Sequence, residues 1–296
     1  MDHMGDIEQL NIYVPNPDSS EFARAVAAVF AASGTQVDIR SDSKQAWKKS
    51  AREAAHCVFE SRRANHPRAI QAIPLLGGHW AFEAAPDPSD WDIAQAVFNP
   101  HDIGESAAEQ SFAVAQQAYI ERFEFPYAFD DFVLILLDGD LGKALPHRPM
   151  SSFNLIKQVL KNEPERQVLI RMIGQAPNAN QQARLDGFDL EDRISFTTAG
   201  LDRLLQACCY VVCQDTPLSL RAALHEKPVL HMGECGLHHI ARNPEIDGRI
   251  QKSFNRMHRD RPDYARYIHW VLEHGLDINA PDFGATLQRR LGDLGW

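Results

Sequence analysis

Residues 209–233 read CYVVCQDTPLSLRAALHEKPVLHMG, and the fold class follows from them. Tyr210-Val211-Val212-Cys213 is a short apolar, partly β-branched run, the composition of a buried strand. Gln214-Asp215-Thr216-Pro217 breaks it. Thr216 suits a helix cap, and Pro217 suits the first helical position, where a missing N–H does no harm. Leu218, Ala222 and Leu224 give that helix an apolar side. Lys227-Pro228 ends it, and Val229-Leu230-His231 starts a second buried strand. Strand, polar turn, helix, strand is a βαβ crossover and implies parallel pairing.

In such sheets ligands sit beyond the carboxyl ends of the strands. The turn 214–216 lies at such an end, ahead of a helix N-terminus whose N–H groups suit a phosphate or a carboxylate. Thr216 and Ser219 are placed to add hydroxyl donors. An ordinary capped crossover helix of any α/β protein accounts for the same residues.

The stretch also resembles the nucleotide-sugar-binding segment of bacterial capsular polysaccharide glycosyltransferases, the capsule synthesis and export type that includes Kdo-transferase-like enzymes. Asp215-Thr216 stands for that family's Asn-Ser/Thr pair, Arg221-Ala222-Ala223-Leu224 for its short helix, and Glu226-Lys227-Pro228-Val229 for the helix exit. Gly233-Glu234 and Gly236-Leu237 fit the turn that follows. Leu218 replaces a usual Gly, and Pro217 removes one N–H from the phosphate site. After 168–170 the family has Lys, one residue, then His-Pro; this chain has Arg171-Met172-Ile173-Gly174. The resemblance covers roughly residues 205–240.

Working outward, strands and helices alternate from 132 to 231. FVLILL at 132–137 is the most strand-like run, 168–171 and 194–196 are further strands, and helices are expected at 151–161, 180–185 and 201–207. That alternation is the signature of a doubly wound parallel sheet. The first part opens in the same way, with a strand at 10–14, a helix at 21–33 ended by Gly34, and a strand at 37–39. No GxGxxG follows the first strand, so a dinucleotide fingerprint is missing. Apolar runs at 57–59, 70–76 and 93–98 read as strands, and 43–55 and 105–123 as helices. EFPYAFDD at 124–131 reads as a linker. The tail is helical at 263–273 and 285–291.

The fold class is therefore α/β, and the resemblance implies two Rossmann-like lobes with parallel sheets, the GT-B plan. The expected division is an acceptor-side lobe over 1–125, a nucleotide-sugar lobe over 126–280, and a last helix, 281–296, packing back on the first.

Composition limits the alternatives. The chain has 296 residues and a formal net charge of −10. Such a surface repels nucleic acid, so none is expected as a partner. No apolar run approaches the ~20 residues that span a bilayer, and MDHMGDIEQL has neither the basic nor the apolar region of a signal peptide. The expected location is the cytoplasm. Five cysteines, an odd count, argue against a disulfide framework. Cys209, Cys213, Cys235 and His238 or His239 lack the paired spacing of zinc ribbons, and the thiols read as small apolar groups. Asp138-Gly139-Asp140 has the letters of a metal motif and reads equally as a turn. No metal or cofactor is expected.

Glycosyl transfer needs a site for the donor phosphates and a base for the acceptor hydroxyl. Asp215, Thr216, Ser219, Glu234 and Arg171 are the expected donor-binding residues, with Arg171 taken to end its strand and reach the rim beside Thr216. His79, after Gly77-Gly78, is the first candidate base, because an ordinary imidazole titrates near neutrality. Glu83 and Asp102 are its rivals. The cations Arg249, Lys252, Arg256, Arg259, Arg261 and Arg266 form a basic run in an acidic chain, fitting an anionic glycan, peripheral attachment to a membrane, or a solvated face. The expected function is transfer of a sugar from a nucleotide-sugar donor to a glycan acceptor in surface-polysaccharide synthesis. The alternatives are a GT-B-like binding or scaffolding protein without catalysis, a nucleotide-sugar epimerase, or a flavodoxin-like binder.

Overall fold

The computed structural model describes residues 7–60, 62–124, 131–138, 150–173, 178–187, 193–214, 216–233, 235–237, 239–257, 259 and 261–296. The chain divides into two compact units, one formed by 1–96 with 271–296, the other by 97–270. Among the described residues no helix is long and apolar enough to cross a membrane.

The first unit contains β1 (Gln9–Val14), α1 (Glu21–Ala32), β2 (Gln36–Ser41), α2 (Lys44–Ser50), β3 (His56–Phe59), β4 (Ala69–Pro74), β5 (His79–Glu83) and α3 (Asp92–Gln95). Ser20 caps α1 by accepting the Ala23 N–H at 3.0 Å. Phe22, Val26 and Phe30, four residues apart, form the buried stripe of that helix.

The second unit runs through α4 (Glu105–Tyr119), β6 (Val133–Asp138), α5 (Ser152–Asn162), β7 (Val168–Ile173), α6 (Ala179–Asp186), β8 (Ile194–Thr197), α7 (Leu201–Ala207), β9 (Tyr210–Cys213), α8 (Thr216–Leu224), β10 (Val229–His231), β11 (Ala241–Arg242), α9 (Pro244–Asp247), α10 (Ile250–Met257) and α11 (Tyr264–His274). The unit boundary falls inside α11. The chain then returns to the first unit as β12 (Leu276–Asp277) and α12 (Phe283–Asp293).

In the first unit the strand order is β12-β5-β4-β3-β1-β2. The four strands from β2 to β4 are parallel, while β5 and β12 add an antiparallel edge. Phe283, Leu287 and Leu291 of α12 join Phe22, Val26, Phe30 and Ile12 in one core. The last helix thus belongs to the same unit as the first strand.

In the second unit the order is β11-β10-β9-β6-β7-β8, with every pair parallel. Phe132 to Leu137 are all buried, as a central parallel strand covered on both faces requires. Val133, Ile135, Ile170, Val212 and Leu230 face one side and pack with Leu155 and Val159 of α5 and Phe254 and Met257 of α10. Cys213 and His231 point the other way and meet Ser219 of α8, so α8 covers the opposite face. The chain leaves β6 toward β7 and β8, then returns to β9 on the other flank of β6. The crevice at the carboxyl ends of β6 and β9 is the switch point of the sheet.

Three expectations need correction. Residues 93–98 form no strand: Asp92–Gln95 is a helical turn, and Ile93 and Ala94 are buried beside Trp91. The first unit ends at 96 rather than 125, because α4 is bonded into the second: Gln116 Nε2 donates to Leu224 O at 2.7 Å, and Ser111 lies 2.8 Å from His269 Nδ1. The return to the first unit begins at 271, ahead of the expected 281. The linker core 125–130 lies outside the described residues.

Candidate functional site

The carboxyl rim of the second sheet is tied by one side chain. Gln214 directly follows β9, and its amide nitrogen donates to Met150 O at 2.8 Å and Met232 O at 3.3 Å. Met150 precedes α5 and Met232 follows β10, so this amide ties the end of β9 to the exit of β10 and the approach to α5. Sequence reasoning placed Gln214 in the turn at the carboxyl end of the sheet but gave its side chain no role. No local signal marks a glutamine whose partners lie 64 and 18 residues away.

Beside this tie a cavity of about 620 Å³ opens, lined among others by Met150, Asn154, Met232, Glu245 and Arg249. That size lies within the range of small-molecule sites. α5 begins at its edge, where Ser151 caps by accepting the Asn154 N–H at 3.4 Å, and α10 begins there with Arg249 just ahead of it. Two positive helix ends and a guanidinium favour an anionic ligand.

Thr216 is the first residue of α8 rather than its cap, and is buried. It stands at the same rim, one residue beyond Asp215. Asp215 and Glu234 lie outside the described residues, as do Gly139, Asp140 and His238.

Ser219 is fully buried against the last residues of β9 and β10. Its Oγ lies 2.6 Å from His231 Nδ1 and 3.0 Å from Cys213 Sγ, and all three residues are 0% exposed. One turn into the helix, position 219 faces the sheet, so its hydroxyl joins α8 to β9 and β10.

Arg171 does not end its strand, which continues to Ile173. Its side chain leaves the face opposite Ile170 and Met172. Nε donates to Ala199 O at 3.1 Å, just ahead of α7, and Nη1 donates to Met172 O. Two backbone carbonyls thus anchor the guanidinium.

Among the candidate bases, His79 opens β5. Its Nδ1 lies 3.0 Å from Leu76 O, so Nδ1 carries the proton in the neutral ring and Nε2 is the acceptor. Gly77 and Gly78, at φ of 59° and 85°, make the β4–β5 turn. A Cβ on Gly78 would meet Asn279 Nδ2 at 2.5 Å, so that glycine answers to its neighbour after β12. Glu83 closes the same strand and is 2% exposed. Its carboxylate accepts the N–H of Asp92 at 2.7 Å and of Ile93 at 3.1 Å. Burial pushes its pKa up to about 7, against the lowering effect of those two N–H groups and of Arg290. Glu83 is a helix cap, not an accessible base. Asp102 is exposed in a single 3-10 turn, Pro100–Asp102, of the second unit.

The thiols are free and engaged locally. Cys209 Sγ donates to Asp131 Oδ1 at 2.9 Å, and Leu237 N–H donates to Cys235 Sγ at 3.3 Å. His239 packs among the rings of Phe98, Tyr267 and Trp270 at 5.6–5.8 Å between centroids. Among the described residues no three His, Cys, Asp or Glu side chains gather to hold a metal ion.

Two Rossmann-like α/β units in one chain, the second with a cavity at the carboxyl rim of its sheet, define a protein of the GT-B fold type. One solved structure agrees in fold at a TM-score above 0.5. Thermosulfurimonas dismutans KpsC, beta Kdo 2,7 transferase, is similar with a TM-score of 0.51 and 12% identity, over 98% of this chain and 100% of that one. The same organism's KpsC, beta Kdo 2,4 transferase, gives 0.48 and 9% over 88% and 89%. Anabaena Alr3699/HepE, in complex with UDP and glucose, gives 0.40 and 10% over 97% and 100%. At such identities the likeness shows the fold alone. No protein-family model and no curated protein matches the sequence.

Proposed function

We propose that the chain is a glycosyltransferase that moves a sugar from a nucleotide-sugar donor to a glycan acceptor, in the cytoplasm, during assembly of a bacterial surface polysaccharide. The observation that supports this reading is the rim tied by Gln214, with α8 starting at Thr216 two residues on and a cavity of about 620 Å³ lined by Met150 and Met232, the two partners of that amide. In the proposal the donor phosphates lie against Thr216 and the start of α8, with Asp215, Glu234 and Arg171 flanking them. His79, whose Nε2 is the acceptor of its neutral ring, takes the proton of the acceptor hydroxyl. Leaving-group charge is met by a helix N-terminus rather than by a metal.

One observation favours a second reading, a binding protein without catalysis. The hydroxyl of Ser219 and the carboxylate of Glu83 are both committed to internal bonds. Calorimetric titration with CMP, UDP and GDP, followed by donor-hydrolysis assays with the matching nucleotide sugars, separates the two. Binding with turnover supports the transferase, and binding without turnover on any donor or acceptor supports the second reading. Absence of binding by all three nucleotides overturns both.

A further inference from the structure

Four cations, Arg249, Lys252, Arg256 and Arg259, lie along α10 and the turn after it, all of them exposed. Lys252 and Arg256 stand four residues apart on one stripe of α10, with Arg249 just ahead of the helix and Arg259 beyond its end. The other stripe, Ser253, Phe254 and Met257, is buried in the core of the second unit. The amides of Gln251 and Asn255 alternate with the cations, and together they line a trough of about 580 Å³. Asp247 is the single acid among its lining residues; its carboxylate is held by Arg256 at 3.0 Å and by the Ser253 hydroxyl at 2.8 Å. Four cations less one acid leave +3 along this trough, in a chain whose formal net charge is −10. Gly248 and Arg249 line both the trough and the 620 Å³ cavity, so the two share a wall there.

We propose that this trough binds an extended acidic glycan, with its carboxylates or phosphates on Arg249, Lys252 and Arg259 and its hydroxyls on Gln251 and Asn255. A carbohydrate polyanion needs charge at intervals with hydrogen-bonding groups between, and the trough supplies that alternation. A membrane fits it less well. An interfacial helix sinks its apolar face into lipid, whereas Phe254 and Met257 are both 2% exposed, inside the protein core. The inference rests on the shape and charge of the second unit and holds whether or not the chain transfers a sugar.

The test is calorimetric titration of the full chain with oligogalacturonate and oligosialic acid, against a malto-oligosaccharide of equal length. The acidic oligomers bind, the neutral one does not, and added salt weakens binding. Arg249→Gln with Lys252→Gln lowers affinity roughly fivefold to tenfold, as loss of two exposed charge contacts implies. Arg259→Gln alone acts in the same direction, and Lys48→Gln, on α2 of the other unit, has no effect. Equal binding of acidic and neutral oligomers, binding of neither, or full affinity in the Arg249/Lys252 variant overturns the proposal. So does co-sedimentation with phosphatidylglycerol vesicles by a protein that ignores both acidic oligomers.

Discussion

Glu83 caps a helix that starts nine residues further along the chain: its carboxylate accepts the backbone N–H of Asp92 at 2.7 Å. The residue at the cap position of α3 is Trp91, which offers no side-chain acceptor. The last residue of β5 therefore supplies what the local sequence lacks, and Arg290 of α12 approaches both acids, at 3.7 Å from Glu83 and 2.6 Å from Asp92.

This arrangement makes the first unit sensitive to pH. Burial raises the folded pKa of Glu83 from 4.5 to about 7. The folded state then holds a proton that the unfolded state has released, so the contribution of Glu83 is full below pH 4.5 and is lost as pH rises through about 7. Glu83→Gln removes the titration. Thermal melts of both proteins from pH 4 to 8 are expected to show the advantage of the wild type over the variant shrinking as pH rises. A constant difference would refute the assignment.

Thr216 and Ser219 separate into two experiments. Ser219→Ala deletes a hydroxyl 2.6 Å from His231 Nδ1 in a fully buried site. The expected cost is about 1–3 kcal/mol of stability, with nucleotide affinity unchanged once the protein is folded. Thr216→Ala, at the first position of α8, is expected to weaken nucleotide binding by about 1 kcal/mol, alongside the stability lost with its hydrogen bond to the buried Cys235. Chemical denaturation and calorimetric titration of both variants read the two effects apart.

Asp202 holds α7, α8 and the segment after α4 together. It pairs with Arg221 at 2.8 Å and His225 at 3.0 Å, and accepts the Glu121 N–H at 2.8 Å. Burial alone would raise its pKa. The bonds from His225 and Arg221, with the Glu121 N–H, overcome that and hold the carboxyl well below the usual range. Its contribution is therefore present above the ordinary Asp pKa of 3.8 and lost as pH falls below it. Asp202→Asn leaves a guanidinium without its buried partner and is expected to destabilise the second unit by roughly 3 kcal/mol at pH 7. Denaturant unfolding of wild type and variant at pH 7 and pH 3 checks it, with the gap closing at the lower pH.

What could be read from the sequence was what is local. Tyr210–Cys213 and Leu201–Ala207 emerge with the expected bounds, because short apolar runs between polar or proline-bearing turns carry their own punctuation. Residues 93–98 were ambiguous. Four residues of such a run fit strand or helix, and the distant Glu83 carboxylate decides for helix. β12 has two residues, and its pairing with Trp80 and His79 exists only in the folded unit. At the site, the carboxyl rim near Thr216 was legible from the strand–turn–helix order. The inward aim of Ser219 was not, since a serine within a buried helical stripe looks like any polar residue in a hydrophobicity pattern. Gln214 was hidden for the reason that conceals Glu83: its partners belong to other elements of the chain, brought near only by folding.

The split of the first unit has a consequence for how the protein is made. Residues 1–96 leave the ribosome before 97–270, yet the helix that covers Phe22, Val26 and Phe30 begins at Phe283. Between them lies all of 97–270, which takes on the order of 10–35 s to translate. Throughout that interval the early strands carry an unfinished apolar face, open to chaperones and to neighbouring nascent chains. The second unit is continuous in sequence and can close during translation; the first is finished only when α12 emerges.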